Sequence, residues 1–202
     1  MDQKNHWSWY GTKNLQVCPF MDGTPVYLDG MLPHLYYKTR EENNIATTFC
    51  GQDKTLGQFV HYFESLKTMQ VCCEIAEEEK LIPVGFTWVS NPYGVDGARA
   101  AQPGMCFFGG AGKRGTAQSL AKLALAYAMV ALRINVLLGE QVYSNYAARN
   151  FALRLGFKEV ARIPNRHVID GRFEDGRVVM LKDDDFLPKF FEWKEKQPKI
   201  EG

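Results

Sequence analysis

The chain has 202 residues, of which 46% are hydrophobic, 13% aromatic and 23% charged. That is enough apolar material for one ordinary core, and it excludes a chain that is disordered throughout. Lys and Arg number 24 against 23 Asp and Glu, a formal net charge of +1. Such balance argues against a dedicated nucleic-acid binder, because displacing counterions needs a basic surplus.

Five cysteines, Cys18, Cys50, Cys72, Cys73 and Cys106, are irregularly spaced and include no C-x-x-C. An odd, unpatterned set matches a reducing cytoplasm better than a secreted disulfide framework. The histidines, His6, His34, His61 and His167, are scattered, so no metal site is expected. Residues 1–10 lack the apolar segment of a signal peptide. The longest apolar stretch, Leu120 to Leu132, is interrupted by Lys122 and is too short to span a membrane.

In chain order, residues 1–50 read as an irregular extension packed on the domain, with one short strand near Thr24–Leu28. Thr55 and Gln58 then have capping-box spacing, and Leu56, Phe59, Val60 and Phe63 follow at helical intervals, predicting a helix to about Met69. Gln70–Ala76 and Leu81–Val89 read as an antiparallel hairpin around a charged turn. Residues 91–104 read as a loop. A strand over Met105–Phe108 runs into Gly109-Gly110-Ala111-Gly112-Lys113-Arg114-Gly115.

That loop opens a helix whose apolar face is Leu120, Leu123, Ala124, Tyr127, Ala128 and Ala131. A strand over Ile134–Leu138 follows. Ser144 or Asn145 caps a second helix with Ala148, Phe151, Ala152 and Leu155 on its apolar face, and Gly156 suits the left-handed residue that ends it. Phe157–Pro164 and Arg177–Leu181 read as a last strand pair joined by a turn-rich stretch. The tail, 186–202, carries Phe186, Phe190, Phe191 and Trp193. It reads either as a docked segment or, like the N-terminal extension, as a surface for a protein partner.

A strand, a glycine-rich loop and a helix make an anion site. Helix-start N–H groups lack acceptors, the helix dipole favours negative charge, and Lys113 and Arg114 add cations. Three phosphate motifs compete. A Walker loop fails, since Arg114 follows Gly112-Lys113 and Phe107 replaces the first glycine. Gly110, Gly112 and Gly115 match the G-x-G-x-x-G dinucleotide pattern literally. The acidic residue that should follow about 20 positions on is represented only by Glu140, 25 residues past Gly115.

The third motif covers more of the chain. Gly112-Lys113-Arg114-Gly115-Thr116-Ala117 fits Q/R-x-x-G-x-G/A except at Gly112, and Asn145, Ala148, Phe151, Gly156 and Phe157 fit N-x-x-A-x-x-[L/F]-x-x-x-x-G-F throughout. With the order of elements, the stretch from about Gln70 to Leu181 resembles the GCN5-related N-acetyltransferase (GNAT) family. The resemblance implies an α+β or α/β domain over 51–185, with a mixed, mostly antiparallel central sheet flanked by helices.

It also implies acetyl-CoA as cofactor and direct attack of a primary amine, on a small molecule or a protein, at the thioester. By resemblance, Gly112, Lys113, Arg114, Gly115, Thr116 and Ala117 hold the pyrophosphate, and Asn145 contacts the cofactor arm. A backbone N–H at Phe107 or Phe108 polarises the thioester carbonyl. The tyrosine acid many members carry seven residues after the asparagine is Ala152 here. Tyr143 and Tyr146 are substitutes by proximity, and Glu140 is the leading candidate base. Trp88, Tyr93 and Phe107 are candidate walls of the acceptor pocket. Gly112 and Ala152 depart from the family pattern. They motivate a second reading: a catalytically degenerate fold kept as a binding or structural module, for example in a viral assembly. A dinucleotide-binding oxidoreductase is the third.

Overall fold

A computed structural model of the chain describes residues 11–20, 30–42, 49, 54–66, 68–77, 80–95, 97–109, 115–169 and 171–198. The strand expected near Thr24–Leu28 lies outside the described residues. Among the described residues eight strands form one sheet: β1 (Gly11–Thr12), β2 (Leu15–Pro19), β3 (Gln70–Ile75), β4 (Leu81–Val95), β5 (Ala98–Phe107), β6 (Val136–Val142), β7 (Lys158–Ile169) and β8 (Arg172–Lys182). Their spatial order is β1-β2-β3-β4-β5-β6-β8-β7. Every ladder is antiparallel except β5–β6. The parallel, doubly wound sheet of a dinucleotide-binding fold is not what these strands build.

Among the described residues five helices cover the two faces: α1 (Met31–Glu41), α2 (Leu56–Leu66), α3 (Thr116–Val130), α4 (Tyr146–Leu155) and α5 (Asp183–Glu195). Two cores result. One packs Leu35, Tyr36, Phe59 and Phe63 of α1 and α2 on Val71, Phe86 and Trp88. The other packs Leu120, Leu123, Ala124 and Tyr127 of α3 with Ala152, Leu155, Phe186 and Phe190 of α4 and α5 on Val17, Val89, Leu137 and Val179. Strand alternation separates them: Cys106 and Phe108 face the α1/α2 side, whereas Met105 and Phe107 pack on the α3/α4 side.

Local chemistry sets several boundaries. Thr55 donates its N–H to Gln58 Oε1 at 2.9 Å and Gln58 its N–H to Thr55 Oγ1 at 3.3 Å, closing the capping box before α2. Asn145 Oδ1 accepts the Ala148 N–H at 3.0 Å at the start of α4. Gly156, at φ 98°, ends that helix and donates its N–H back to Ala152 O and Leu153 O.

Three expectations need correction. The stretch expected to be irregular contributes β1, β2 and α1; Leu15 to Pro19 add to the edge of β3, with Val17 opposite Cys72. The expected loop at 91–104 is mostly strand, because β4 and β5 continue as a hairpin through Tyr93↔Ala100 and Val95↔Ala98. A bulge between Ser90 and Tyr93, with Asn91 at φ 50°, absorbs Pro92. Pro103 is tolerated because β5 has already lost its partner on that side. The turn-rich stretch before Arg177 is likewise strand, with Pro164 and Asn165 in a bulge between Ile163 and His167. Asp175 pins the bulge by accepting the Asn165 N–H at 2.9 Å and Arg162 Nε at 2.7 Å. Those two donors hold its carboxyl below the usual range. The aromatic tail begins inside α5 and is docked through Phe186 and Phe190.

Candidate functional site

β5 and β6 pair at only two positions, Ala100↔Val136 and Ala101↔Leu137. Beyond them the strands separate, and a cleft of about 1190 Å³ opens between Gln102–Phe107 on one side and Gly139–Val142 on the other. It reaches both faces of the sheet. Ala117, Asn145, Ala148, Phe151 and Ala152 line it on the α3/α4 side, and Phe49, Tyr62 and Trp88 on the α1/α2 side.

The backbone of β5 supplies a donor to this gap. Phe108 gives its N–H to Val84 O at 2.9 Å, on β4. Alternation along a strand then turns the Phe107 N–H away from β4, toward the cleft. The Phe107 ring lies 5.9 Å from the Phe151 ring of α4, so the α3/α4 end of the gap has an apolar floor.

At the same end, α3 begins at Gly115, held at φ 72°. Its first internal bond runs from Ser119 N–H to Gly115 O at 3.1 Å. The N–H groups of Thr116, Ala117 and Gln118 therefore have no helical acceptor. No acidic residue occupies the first turn, and Ala117 is on the cleft wall. These donors suit an anion. Gly112, Lys113 and Arg114 lie outside the described residues.

Asn145 stands on the wall as the cap of α4. Its Oδ1 is occupied by Ala148 N–H, which leaves the Nδ2 amide as the donor for a ligand. Ala152, in the position of the family tyrosine, is buried on the same wall and brings no hydroxyl.

The three predicted proton-transfer residues are placed differently. Glu140 lines the cleft, but Arg166 donates Nε to its Oε1 at 2.6 Å and Nη2 to its Oε2 at 3.3 Å. Tyr143 is sandwiched between Arg162 and Arg177, whose guanidinium carbons are 4.1 and 4.4 Å from its ring centre. Tyr146 starts α4 with 62% of its surface exposed. Neither tyrosine borders the cleft. Trp88 does, within a cluster where it stacks on Phe49 and Phe86 at 5.7 and 5.8 Å. Tyr93 projects from the far end of β4, 55% exposed.

Lys54, Arg166 and His167 line the cleft without having been singled out from sequence. Lys54 sits over the rings of Phe49 and Tyr62 at 5.0 and 5.2 Å. Arg166 lies in the β7 bulge and His167 resumes the pairing after it, in a stretch whose glycines read as turns. Among the described residues no group of His, Cys, Asp and Glu could hold a metal ion, and no helix is long and apolar enough to cross a membrane.

No family model matches the chain, and no curated protein does. Solved structures do. A spermidine N-acetyltransferase from Vibrio cholerae, in complex with CoA and spermine, superposes with TM-score 0.67 at 15% identity, over 86% of this chain and 98% of that one. A GNAT-family acetyltransferase from Bacillus anthracis gives 0.64 at 11%, over 86% and 97%. A GCN5-related N-acetyltransferase from Brucella melitensis gives 0.65 at 14%, over 90% and 82%. At such identities the likeness is one of fold, and the fold of this chain, carried by a divergent sequence, is that of the GCN5-related N-acetyltransferases.

Proposed function

We propose that the chain is an acetyl-CoA-dependent N-acetyltransferase that transfers the acetyl group to a primary amine by direct attack. The observation that carries this reading is the parting of β5 from β6 after Ala101↔Leu137. It leaves a strand edge whose donors can hold an extended, amide-bearing arm, and a passage through the sheet to a second face.

Each end of that passage has a task. The free N–H groups of Thr116, Ala117 and Gln118 take the pyrophosphate. Lys113 and Arg114 supply charge by the family resemblance. The pantetheine amides add to the free edge of β5, and Asn145 Nδ2 meets the arm from α4. The Phe107 N–H is the donor aimed at the carbonyl oxygen as it gains charge, since that of Phe108 is bonded to Val84. The acceptor enters from the α1/α2 side, past Phe49, Tyr62 and Trp88.

The neighbour solved with CoA and spermine supports the donor half of this reading. The acceptor half rests on the chemistry of a thioester held beside an open pocket. A ligand at 100 times its Kd stabilises a protein by about 2.7 kcal/mol. Acetyl-CoA and CoA should therefore each raise the melting temperature, while NADPH and ATP should not. A flat response to both CoA species at millimolar concentration would sink the proposal.

Ala152 favours one second reading, a fold that binds CoA without turnover. Release of CoA thiol from acetyl-CoA with any member of an amine panel, lost in Gly115→Asp, would exclude it.

A further inference from the structure

His167 is the histidine that the described residues place on the cleft wall. It is 7% exposed, and its Nε2 is buried with no hydrogen-bond partner. That nitrogen lies 3.3 Å from Glu140 Oε1 without being aligned for an N–H···O bond. A buried polar atom with no partner is destabilising, so its retention at a cleft wall needs an explanation.

The surroundings supply one. Arg166 occupies both oxygens of Glu140, so this carboxylate is poorly placed to take a proton itself. It remains a counter-charge. Glu174 is the register partner of His167 on β8. Leu137 packs in the α3/α4 core, and alternation along β6 turns Glu140 to the opposite, α1/α2 face. The pair thus stands where the acceptor would enter.

We infer that His167 is the general base of the acetyl transfer, an inference that rests on the N-acetyltransferase reading above. An alkylamine arrives as an ammonium ion. Nε2 takes one of its protons, and the freed lone pair forms the C–N bond at the thioester carbon. The C–S bond breaks, and the second proton from nitrogen goes to the departing thiolate. The imidazolium, facing the Glu140 carboxylate, then returns its proton to solvent.

Two measurements test this. The first is CoA-thiol release with an amine panel (spermidine, tyramine, glycinamide) and with hydroxylamine, which is already neutral near pH 7. His167→Gln and His167→Asn should slow the alkylamines about 100-fold, the lower range of general-base effects. They should remove the fall in rate that a base shows as pH drops and it takes up a proton, leave hydroxylamine within a few-fold of wild type, and keep CoA affinity unchanged. Equal losses on both kinds of amine, or none, overturn the inference. The second needs no acceptor: ring ¹⁵N spectra of the CoA-bound protein at about pH 8. The ring proton is expected on Nδ1, which leaves Nε2 as the acceptor, and a proton resident on Nε2 overturns the inference. Failure of the wild type to bind CoA would instead remove the proposed function.

Discussion

Glu42, the residue that closes α1, accepts the backbone N–H of Gly109 through Oε1 at 2.6 Å. Gly109 lies just past β5 on the cleft wall. The contact therefore ties the acceptor-side helix to the start of the anion loop, and it sets a negative charge beside a site read as binding pyrophosphate. Glu42→Gln keeps an acceptor for Gly109 and removes the charge. CoA should bind about two- to fivefold more tightly, the range of exposed charge pairs. The gain should shrink as salt rises toward about 1 M. Isothermal titration at two ionic strengths reads both effects. Weaker binding by the variant would mean that the charge is needed to hold the loop.

Gly115 separates fold from ligand. Its φ of 72° is left-handed, and a Cβ there would meet nothing within 4 Å. Gly115→Ala should therefore cost roughly 1–2 kcal/mol of backbone strain and change CoA affinity little. Gly115→Asp is milder for the backbone, since Asp tolerates this region and suits a helix cap. It should abolish CoA binding, because its carboxylate competes for the N–H groups of Thr116 to Gln118. Comparing melting temperature with CoA affinity for the two variants decides the point.

Asn145 has two amide atoms with separable duties. Asn145→Ala removes the cap on α4 and should cost about 1 kcal/mol, or roughly 2–4 °C in melting temperature. Asn145→Asp restores the cap and places a negative charge at a helix N-terminus, so stability should return. It lacks the Nδ2 donor, so any weakening of CoA binding that persists in this variant belongs to the cofactor contact. Full recovery of binding would assign Asn145 to capping alone.

This residue also illustrates what the sequence makes legible. A cap at Asn145, an apolar face through Phe151 and a left-handed Gly156 are set within a dozen residues, so α4 is readable from local rules. The start of α3 at Gly115 is readable for the same reason. The extent of β4 and β5 is not, because residues 91–95 become strand only by facing 98–102. Leu15 to Pro19 are strand because Gln70 to Glu74 offer an edge. Glu140 lies on the cleft wall by its place in β6, while Arg166 and His167 reach it only through a β7 bulge pinned by Asp175 across the hairpin. Neither spacing nor composition reports that contact.

Arg177 is 1% exposed on β8. Its Nε is 2.9 Å from Glu159 Oε2, and Nη2 donates to Tyr143 O at 3.1 Å. Only the Arg177 half of this pair is buried, Glu159 being exposed, but losing the carboxylate strands the buried guanidinium charge. Glu159→Ala should therefore destabilise by roughly 1–2 kcal/mol, less than for a fully buried pair because water screens the exposed carboxylate. The double variant Glu159→Leu/Arg177→Met should be less destabilised than the single one. Urea denaturation of both, at unchanged slope, tests this. A double variant that is worse than the single one would show that the Tyr143 stack matters more than the pair.

The buried thiols set the alkaline limit of stability. Burial pushes Cys18 up to about 11 and raises Cys72 and Cys73 well above the ordinary thiol value. In the unfolded chain these thiols ionise near the reference value of 9.0. Above that pH the unfolded state binds fewer protons than the native state, so stability falls as pH rises. The contribution is complete below about pH 9 and is lost progressively above it. Tyr127, also raised by burial, acts in the same direction. Lys122 and Lys194, lowered by burial, oppose it just below their reference value of 10.5. Three displaced thiols should outweigh two partly buried lysines, so urea midpoints should decline from about pH 9 upward. A triple Cys→Ser variant is unsuitable because it buries three hydroxyls. Cys18→Ala/Cys73→Ala, compared with wild type for the pH slope rather than for absolute stability, isolates the effect. Native protein at about pH 8 should also leave Cys18, Cys72, Cys73 and Cys106 unmodified by a thiol reagent until it unfolds, since only thiolates react. A flat midpoint between about pH 9 and 10.5, or rapid labelling of any of the four, would contradict the burial that the fold assigns them.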